Sequence, residues 1–224
     1  GNINKNEVKP IIEKYLGGIK DIERNETWVD NNVRTPDRDI KKDILTTMET
    51  PKSSVYVNLN KKFKYSPENN LYINVIKGIL ELRYNEEVRE KEGGTYGVYI
   101  SVAKSHYPLE TFQFIIIFDC DPDRAEDLVG IIHKEIDILM KKGPSEEDLD
   151  KVQKNLLKNL EEGKLRNEYW HGAINTYYKH GHNVSSDENS IDIINNMTVK
   201  SVAKKANKLF SGATKAELIL RPKK

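Results

Sequence analysis

The chain has 224 residues, of which 37% are hydrophobic, so it is long enough to bury the core of one ample domain or two small ones. Lys and Arg number 36 and Asp and Glu number 35, which leaves no basic excess and argues against a nucleic-acid-binding protein. The longest apolar runs, such as FIIIF at residues 114–118, are far too short to span a bilayer, so no membrane partner is expected.

The first part of the chain combines one helical pattern with a long polar stretch. Residues 1–18 carry an amphipathic repeat that ends at a glycine pair, which predicts a short helix. Its apolar residues fall at helical spacing: Val8, Ile11, Ile12, Tyr15 and Leu16. Residues 19–50 are polar and weakly periodic, which predicts a loop with at most a short helix near residues 36–46. The alternation in residues 53–63 predicts a half-buried strand.

A long helix and a hairpin come next. Ser66 followed by proline is typical of a helix start, and the helix is expected to end at the glycine pair 93–94. Its predicted buried stripe consists of Leu71, Val75, Ile79 and Leu82, widened by Tyr72, Ile76 and Leu80. Strands are predicted at residues 95–104 and 111–119, joined as a hairpin. The second is apolar on both faces, which favours a place inside the sheet.

The remainder is mainly helical. Helices are predicted from residue 121 to a stop at Gly143, from the cap Ser145 onward, over residues 165–180 and from Thr198, and a strand closes the chain at residues 216–222. The helix over residues 165–180 is expected to turn Trp170, Ala173 and Tyr177 inward. These elements predict an α+β fold, a two-layer α/β sandwich with a mainly antiparallel sheet and helices on one face.

The sequence contains few residues in patterns that are typical of metal binding or nucleophilic catalysis. A zinc protease needs paired histidines and a carboxylate base, and neither H-E-x-x-H nor H-x-x-E-H occurs in the sequence. His180 and His182 could hold a metal on a loop, but two ligands are too few, so no metal site is predicted in this chain. The only cysteine, Cys120, lies among three aspartates, whose charge raises a thiol's pKa and favours a structural role.

The stretch VREKEGGTYGVYIS at residues 88–101 brings an arginine and a tyrosine to either side of a turn. Taken alone, Arg89 is typical of a helix-end cation and Tyr96 of a sheet tyrosine. If the helix end and the strand start face one cleft, both side chains can donate hydrogen bonds to a peptide carbonyl or a developing oxyanion. Residue chemistry leaves both interpretations open.

Several stretches, in order and spanning nearly the whole chain, carry a family resemblance. They are GNINKNEVKPIIEKYLG, LELRYNEEVREKEGGTYGVYIS, GPSEEDLDKVQKNLLKNLE, EYWHGAI, and MTVKSVAKKANKLF with ELILRP. Together they resemble the pitrilysin-type inverzincin metallopeptidases, which include insulin-degrading enzyme and the mitochondrial processing peptidase. The resemblance implies the LuxS/MPP-like metallohydrolase fold. It also implies four similar α/β units, arranged as two halves that close around a peptide.

In that family the first unit carries the zinc motif and its glutamate base, and the last carries an arginine and a tyrosine seven residues apart. Arg89 and Tyr96 match that spacing and context. By resemblance, Tyr96 is the catalytic residue that hydrogen-bonds the scissile carbonyl or its oxyanion, and both residues bind the peptide substrate. This chain lacks the zinc motif and has about the size of one unit, which implies a domain that is inactive alone.

The resemblance therefore implies that residues 1–224 form a single C-terminal domain, without the first strand and the zinc-bearing half. Its partners would be a peptide and an N-terminal zinc-bearing domain of the same protein, and the exposed sheet edge could also drive self-association. Two alternatives stay open: a catalytically silent scaffold or peptide-binding module of the same fold, and an independent small-molecule enzyme using His180 and His182. Composition does not separate a cytoplasmic from a periplasmic location.

Overall fold

The computed structural model describes residues 3–23, 26–91, 95, 97–181 and 187–223. Within them the chain forms a five-stranded sheet with helices packed on one face, which confirms the predicted two-layer sandwich. The strands are β1 (Ile40–Thr46), β2 (Ser53–Lys62), β3 (Tyr99–Ser105), β4 (Thr111–Cys120) and β5 (Thr214–Pro222). They lie in the order β1-β5-β2-β4-β3. β1 runs parallel to β5, and the other neighbours pair antiparallel.

The described residues also form the helices of the fold. They are α1 (Lys5–Tyr15), α2 (Pro67–Tyr84), a π-helix (Asn85–Lys91), a 3-10 turn (Pro122–Arg124), α3 (Ala125–Lys142), α4 (Glu146–Gly163), α5 (Asn167–His180), α6 (Asp187–Asn195) and α7 (Val199–Phe210). Of these helices, α2, α3 and α7 contribute most to the core. None of the described helices has the length and apolar character needed to cross a membrane. The sequence patterns do not predict α6.

The core lies between the sheet and helices α2, α3 and α7. Along β2 the side chains of Val55, Val57 and Leu59 are buried, whereas their neighbours Ser54 and Tyr56 point to the opposite face of the sheet. β4 lies between β2 and β3, as its sequence predicts. On its second apolar face Ile115 is half-buried and Ile117 is 39% exposed.

β1 departs from the sequence prediction. The prediction of a loop or short helix near residues 36–46 is wrong, because Ile40–Thr46 forms an edge strand that pairs with β5. Its five central residues are exposed. The alternation of apolar and polar residues that marks a half-buried strand is therefore missing from its sequence.

The end of α2 departs from the predicted stripe. Leu82 is 37% exposed, so its predicted place in the core is wrong. Tyr84 and Val88 are fully buried instead. The helix continues as the π-helix Asn85–Lys91, whose wider turn changes which residues face the core.

α3 ends and α4 begins where the sequence predicts. Gly143 ends α3 with φ of 80°, and a Cβ there would lie 2.6 Å from the carbonyl oxygen of Val199. The Ser145 side chain then accepts a hydrogen bond from the Asp148 backbone N–H and caps α4.

The helix predicted over residues 165–180 is confirmed as α5, but its inward packing is not. No residue of α5 is buried, and Trp170 and Tyr177 are 47% and 49% exposed. The amphipathic pattern predicts a helix correctly without identifying a partner for its apolar face. The extent of the predicted domain, residues 1–224, stays a prediction.

Candidate functional site

Arg89 lies on the π-helix that follows α2. The preceding residue, Val88, is fully buried and fixes this turn to the core, while Arg89 itself is exposed. Arg89 makes no hydrogen bond or ion pair with the residues that the structure describes. The Arg89 side chain is therefore exposed on a backbone that Val88 anchors to the core.

Tyr96, the other predicted site residue, lies outside the described residues, as do residues 92–94. On either side of it, the Thr95 hydroxyl accepts a hydrogen bond from the Gly97 N–H at 3.2 Å. Tyr99 then begins β3. The convergence of Arg89 and Tyr96 on one cleft stays a prediction.

Arg83 joins the end of α2 to α3 and to the π-helix. Its Nε donates to Glu135 Oε2 at 3.0 Å, and its Nη atoms lie 3.4 Å from carboxylate oxygens of Glu86 and Glu87. Burial lowers the pKa of Arg83, but the hydrogen bond and charge of Glu135, aided by Glu86 and Glu87, outweigh it and leave that pKa raised. The cation thus stays charged beside a Glu135 side chain that is 4% exposed.

Tyr84 makes a second link between α2 and α3. Its hydroxyl donates to the carbonyl oxygen of Ile132 at 3.2 Å. Burial, and then the charge of Glu135, raise the pKa of Tyr84 well above its ordinary value, so the phenol stays neutral. Tyr84, the residue just before the π-helix, is therefore held against α3.

The sequence predicts Arg89 as a site residue, and this stays a prediction, whereas the contacts around its turn are only partly readable from the sequence. Arg83, Glu86 and Glu87 have the spacing of helical ion pairs, which is a readable local signal. Glu135 is 52 residues away from Arg83 along the chain, so only the fold brings the two together.

The histidines do not assemble a metal site among the described residues. The His180 ring stacks on the His106 ring with centroids 3.8 Å apart, and His182, its predicted partner, lies outside the described residues. His133 Nε2 lies 2.6 Å from Glu217 Oε1. No group of three or more metal-binding side chains occurs in the described ranges, so these residues do not fit a zinc ion.

Cys120 is buried at the end of β4, as expected of a structural thiol. Burial raises its pKa to about 11, against an opposing effect of Arg221, and the nearby carboxylates of Asp119, Asp121 and Glu126 raise it further. A thiol with this pKa is a poor nucleophile at neutral pH.

The family profile of the peptidase M16 inactive domain matches residues 1–156. The chain belongs to the peptidase M16 family. This confirms the resemblance to pitrilysin-type metallopeptidases, and the name of the matched domain agrees with a sequence that has no zinc motif.

Relatives of this M16 inactive domain include proteases much longer than the chain itself. It is 26% identical over 151 residues to the probable zinc protease PqqL of Haemophilus influenzae, and the match covers 67% of this chain and 16% of that protein. The structure of the periplasmic protease PqqL from Escherichia coli matches with a TM-score of 0.81 and 17% identity, over 100% of this chain and 25% of the other. A protease from Helicobacter pylori matches with a TM-score of 0.77 and 15% identity, over 99% and 54%.

The profile match establishes the family of the chain, and the structural matches establish its fold. The chain spans about a sixth of the curated relative and a quarter of the Escherichia coli protein.

Proposed function

We propose that this M16 inactive domain is the C-terminal, non-zinc unit of a zinc-dependent endopeptidase. It supplies Arg89 and Tyr96 to an active site whose zinc lies on an N-terminal domain of the same protein, and it is inactive alone. The observation that carries the proposal is Arg89: an exposed guanidinium without a partner among the described residues, on an anchored turn, seven residues before a tyrosine.

The two donors suit the chemistry of peptide hydrolysis. A guanidinium offers several N–H donors in a rigid fork, which bind the carbonyl groups of an extended peptide. A phenol hydroxyl donates to the scissile carbonyl, and its hydrogen bond strengthens as negative charge develops on that oxygen. Arg89 would therefore contribute mainly to substrate binding and Tyr96 mainly to the rate of the chemical step.

The surface of α1 supports pairing with another domain. No residue of α1 is buried, and its apolar side chains Ile11, Ile12 and Tyr15 are 56%, 49% and 66% exposed. An isolated helix shorter than about 12–15 residues is marginal in water, and Pro10 inside it lowers its stability further. A neighbouring domain would stabilise α1 by covering this face.

The proposal is tested with single substitutions in the full-length protein, using quenched fluorescent casein as substrate. Tyr96→Phe should lower kcat by about 10²–10³ with unchanged zinc content, since one oxyanion donor is lost. Tyr99→Phe is the matched control, because Tyr99 is an exposed tyrosine at the start of the same hairpin. Wild-type turnover in Tyr96→Phe would rule out the catalytic role.

Arg89→Ala tests the other half of the proposed site. It should raise KM with a smaller change in kcat, because a contact made equally in the ground and transition states is lost. Arg38→Ala is the control for loss of a surface charge, because Arg38 is an exposed arginine in the loop just before β1. Equal KM values for Arg89→Ala and Arg38→Ala would contradict a substrate-binding role.

A catalytically silent scaffold of the same fold is the second candidate, and the match to a domain described as inactive favours it. The rest of the polypeptide decides between them. An H-x-x-E-H motif with bound zinc in another unit supports the endopeptidase, and its absence supports the scaffold.

A further inference from the structure

One row of buried residues runs along α2 into the π-helix at every fourth position, beside the other buried residues of α2, Ile73, Val75 and Ile79. The row consists of Tyr72, Ile76, Leu80, Tyr84 and Val88. An α-helix has 3.6 residues per turn, so a row at every fourth residue drifts away from the core along the helix. The wider π-turn compensates for this drift at Val88, which is 0% exposed. Arg89 is the next residue, so the width of this turn sets its direction.

A π-turn is rare because it is intrinsically unfavourable, and seven residues of it need support from outside the helix. Arg83 provides that support at its start. One guanidinium reaches Glu135 on α3 at 3.0 Å, and it also reaches Glu86 and Glu87, the second and third residues of the π-helix, at 3.4 Å. The arginine thus connects the first turn of the π-helix to a helix of the core.

The connection between the π-helix and α3 depends on the charges of Arg83 and Glu135. The Glu135 side chain is 4% exposed, and a carboxylate that deeply buried is costly without a cation beside it. Arg83 is 29% exposed and is shared between this carboxylate and two on the π-helix. Without Glu135, the guanidinium has no fixed partner on α3 and can move outward with the π-helix.

We propose that the Arg83–Glu135 ion pair is a positioning device, which holds the turn Asn85–Lys91 in its wide form and so fixes the direction of Arg89. Its value for peptide binding rests on the proposed function of Arg89, whereas its effect on the turn does not. Glu135 touches no substrate in this proposal and acts through Arg83 and the turn.

Hydrogen exchange in the full-length protein tests the effect on the turn. Glu135→Gln keeps the shape of the side chain and removes its charge. Amides of residues 85–91 should exchange about tenfold faster in this variant, because a hydrogen bond between charged groups is weakened. Glu126→Gln is the matched control: it makes the same substitution on α3, where Glu126 pairs with Arg221 instead. Equal exchange of residues 85–91 in the two variants would overturn the proposal.

Arg83→Lys keeps the proposal testable if Glu135→Gln does not fold. Lysine retains the charge but cannot reach three carboxylates with a planar fork. Exchange at residues 85–91 should again rise relative to Glu126→Gln, and an unchanged rate would count against the device.

A double-mutant cycle on KM for quenched fluorescent casein separates positioning from general stability. Glu135→Gln should raise KM in the wild-type background and have no further effect in the Arg89→Ala background. An equal rise in both backgrounds would show that Glu135 does not act through Arg89. If Arg89→Ala alone leaves KM unchanged, the proposed function of Arg89 fails, while the exchange measurement still decides whether the ion pair holds the turn.

Discussion

Gly78 on α2 lies directly against Val152 on α4, so that a Cβ at position 78 would be 2.9 Å from Val152 Cγ1. Val152 is buried, and its branched side chain has little freedom to move away. We therefore expect Gly78→Ala to lower the free energy of unfolding by about 1–3 kcal/mol, although alanine favours a helix over glycine. Chemical denaturation followed by circular dichroism measures this change.

Gly130 offers a matched control for the packing at Gly78. It lies inside α3, and a Cβ there would meet no atom within 4 Å. Gly130→Ala should raise the free energy of unfolding by about 0.5–1 kcal/mol through helix propensity alone. Adding Val152→Ala to Gly78→Ala should recover part of the loss. Stabilisation by Gly78→Ala to the same extent as Gly130→Ala would show that the helices are not in tight contact.

The thiol of Cys120 should react slowly in the folded protein. Its pKa is raised to about 11, first by burial, so only a very small fraction is thiolate at pH 8. Reaction with a colorimetric disulfide reagent should be fast in denaturant and at least about 100-fold slower under native conditions, rising with pH. A native rate close to the denatured rate would contradict the buried position of this side chain.

The carboxylate of Asp119 should contribute a small, pH-dependent stabilisation at the open end of β4. Hydrogen bonds from Lys52 and from Ser54 lower its pKa below the ordinary value. A lowered pKa stabilises the fold above the unfolded-state pKa of about 3.9, and this contribution is lost as the pH falls through the folded-state pKa. Because the side chain is 44% exposed, we expect less than about 1 kcal/mol.

Asp119→Asn should therefore unfold slightly more easily than wild type at pH 7, and the stabilities of the two proteins should begin to converge as the pH falls below about 4. Thermal unfolding at several pH values measures the difference. Asp123→Asn, at a neighbouring aspartate of the 3-10 turn, is the control for a charge change nearby. A gap between Asp119→Asn and wild type that widens as the pH falls would contradict the assignment.

Elements whose signal is local are predictable from this sequence. Ser145 and Thr198 carry oxygen side chains that cap the first turns of α4 and α7, and both helices begin where these residues predict. β1 could not be predicted in this way, because Ile40 pairs with Ala216, far along the chain, and exposed strand residues need no apolar alternation.

The same contrast between local signals and long-range contacts holds for the candidate site. The glycine pair that follows Arg89 predicts that this arginine lies at a helix end, and the family resemblance adds its seven-residue spacing from Tyr96 along the sequence. Neither indicates that the turn is a π-helix or that Glu135 supports it. The wide turn depends on Val88 reaching the core and on a contact between α2 and α3, which exist only once the chain is folded.

The apolar face of α1 should govern self-association when the 224-residue chain is prepared alone. Ile12 is 49% exposed on this face and packs in no core, so Ile12→Lys should reduce association while changing the free energy of unfolding by less than about 0.5 kcal/mol. Asn6→Lys adds the same charge to an exposed polar position of α1 and serves as the control. Analytical ultracentrifugation measures the association, and thermal melting measures the stability. Association that persists equally in both variants would exclude α1 and point instead to β1 and β3, the edge strands of the described sheet, because an edge strand can pair with another chain.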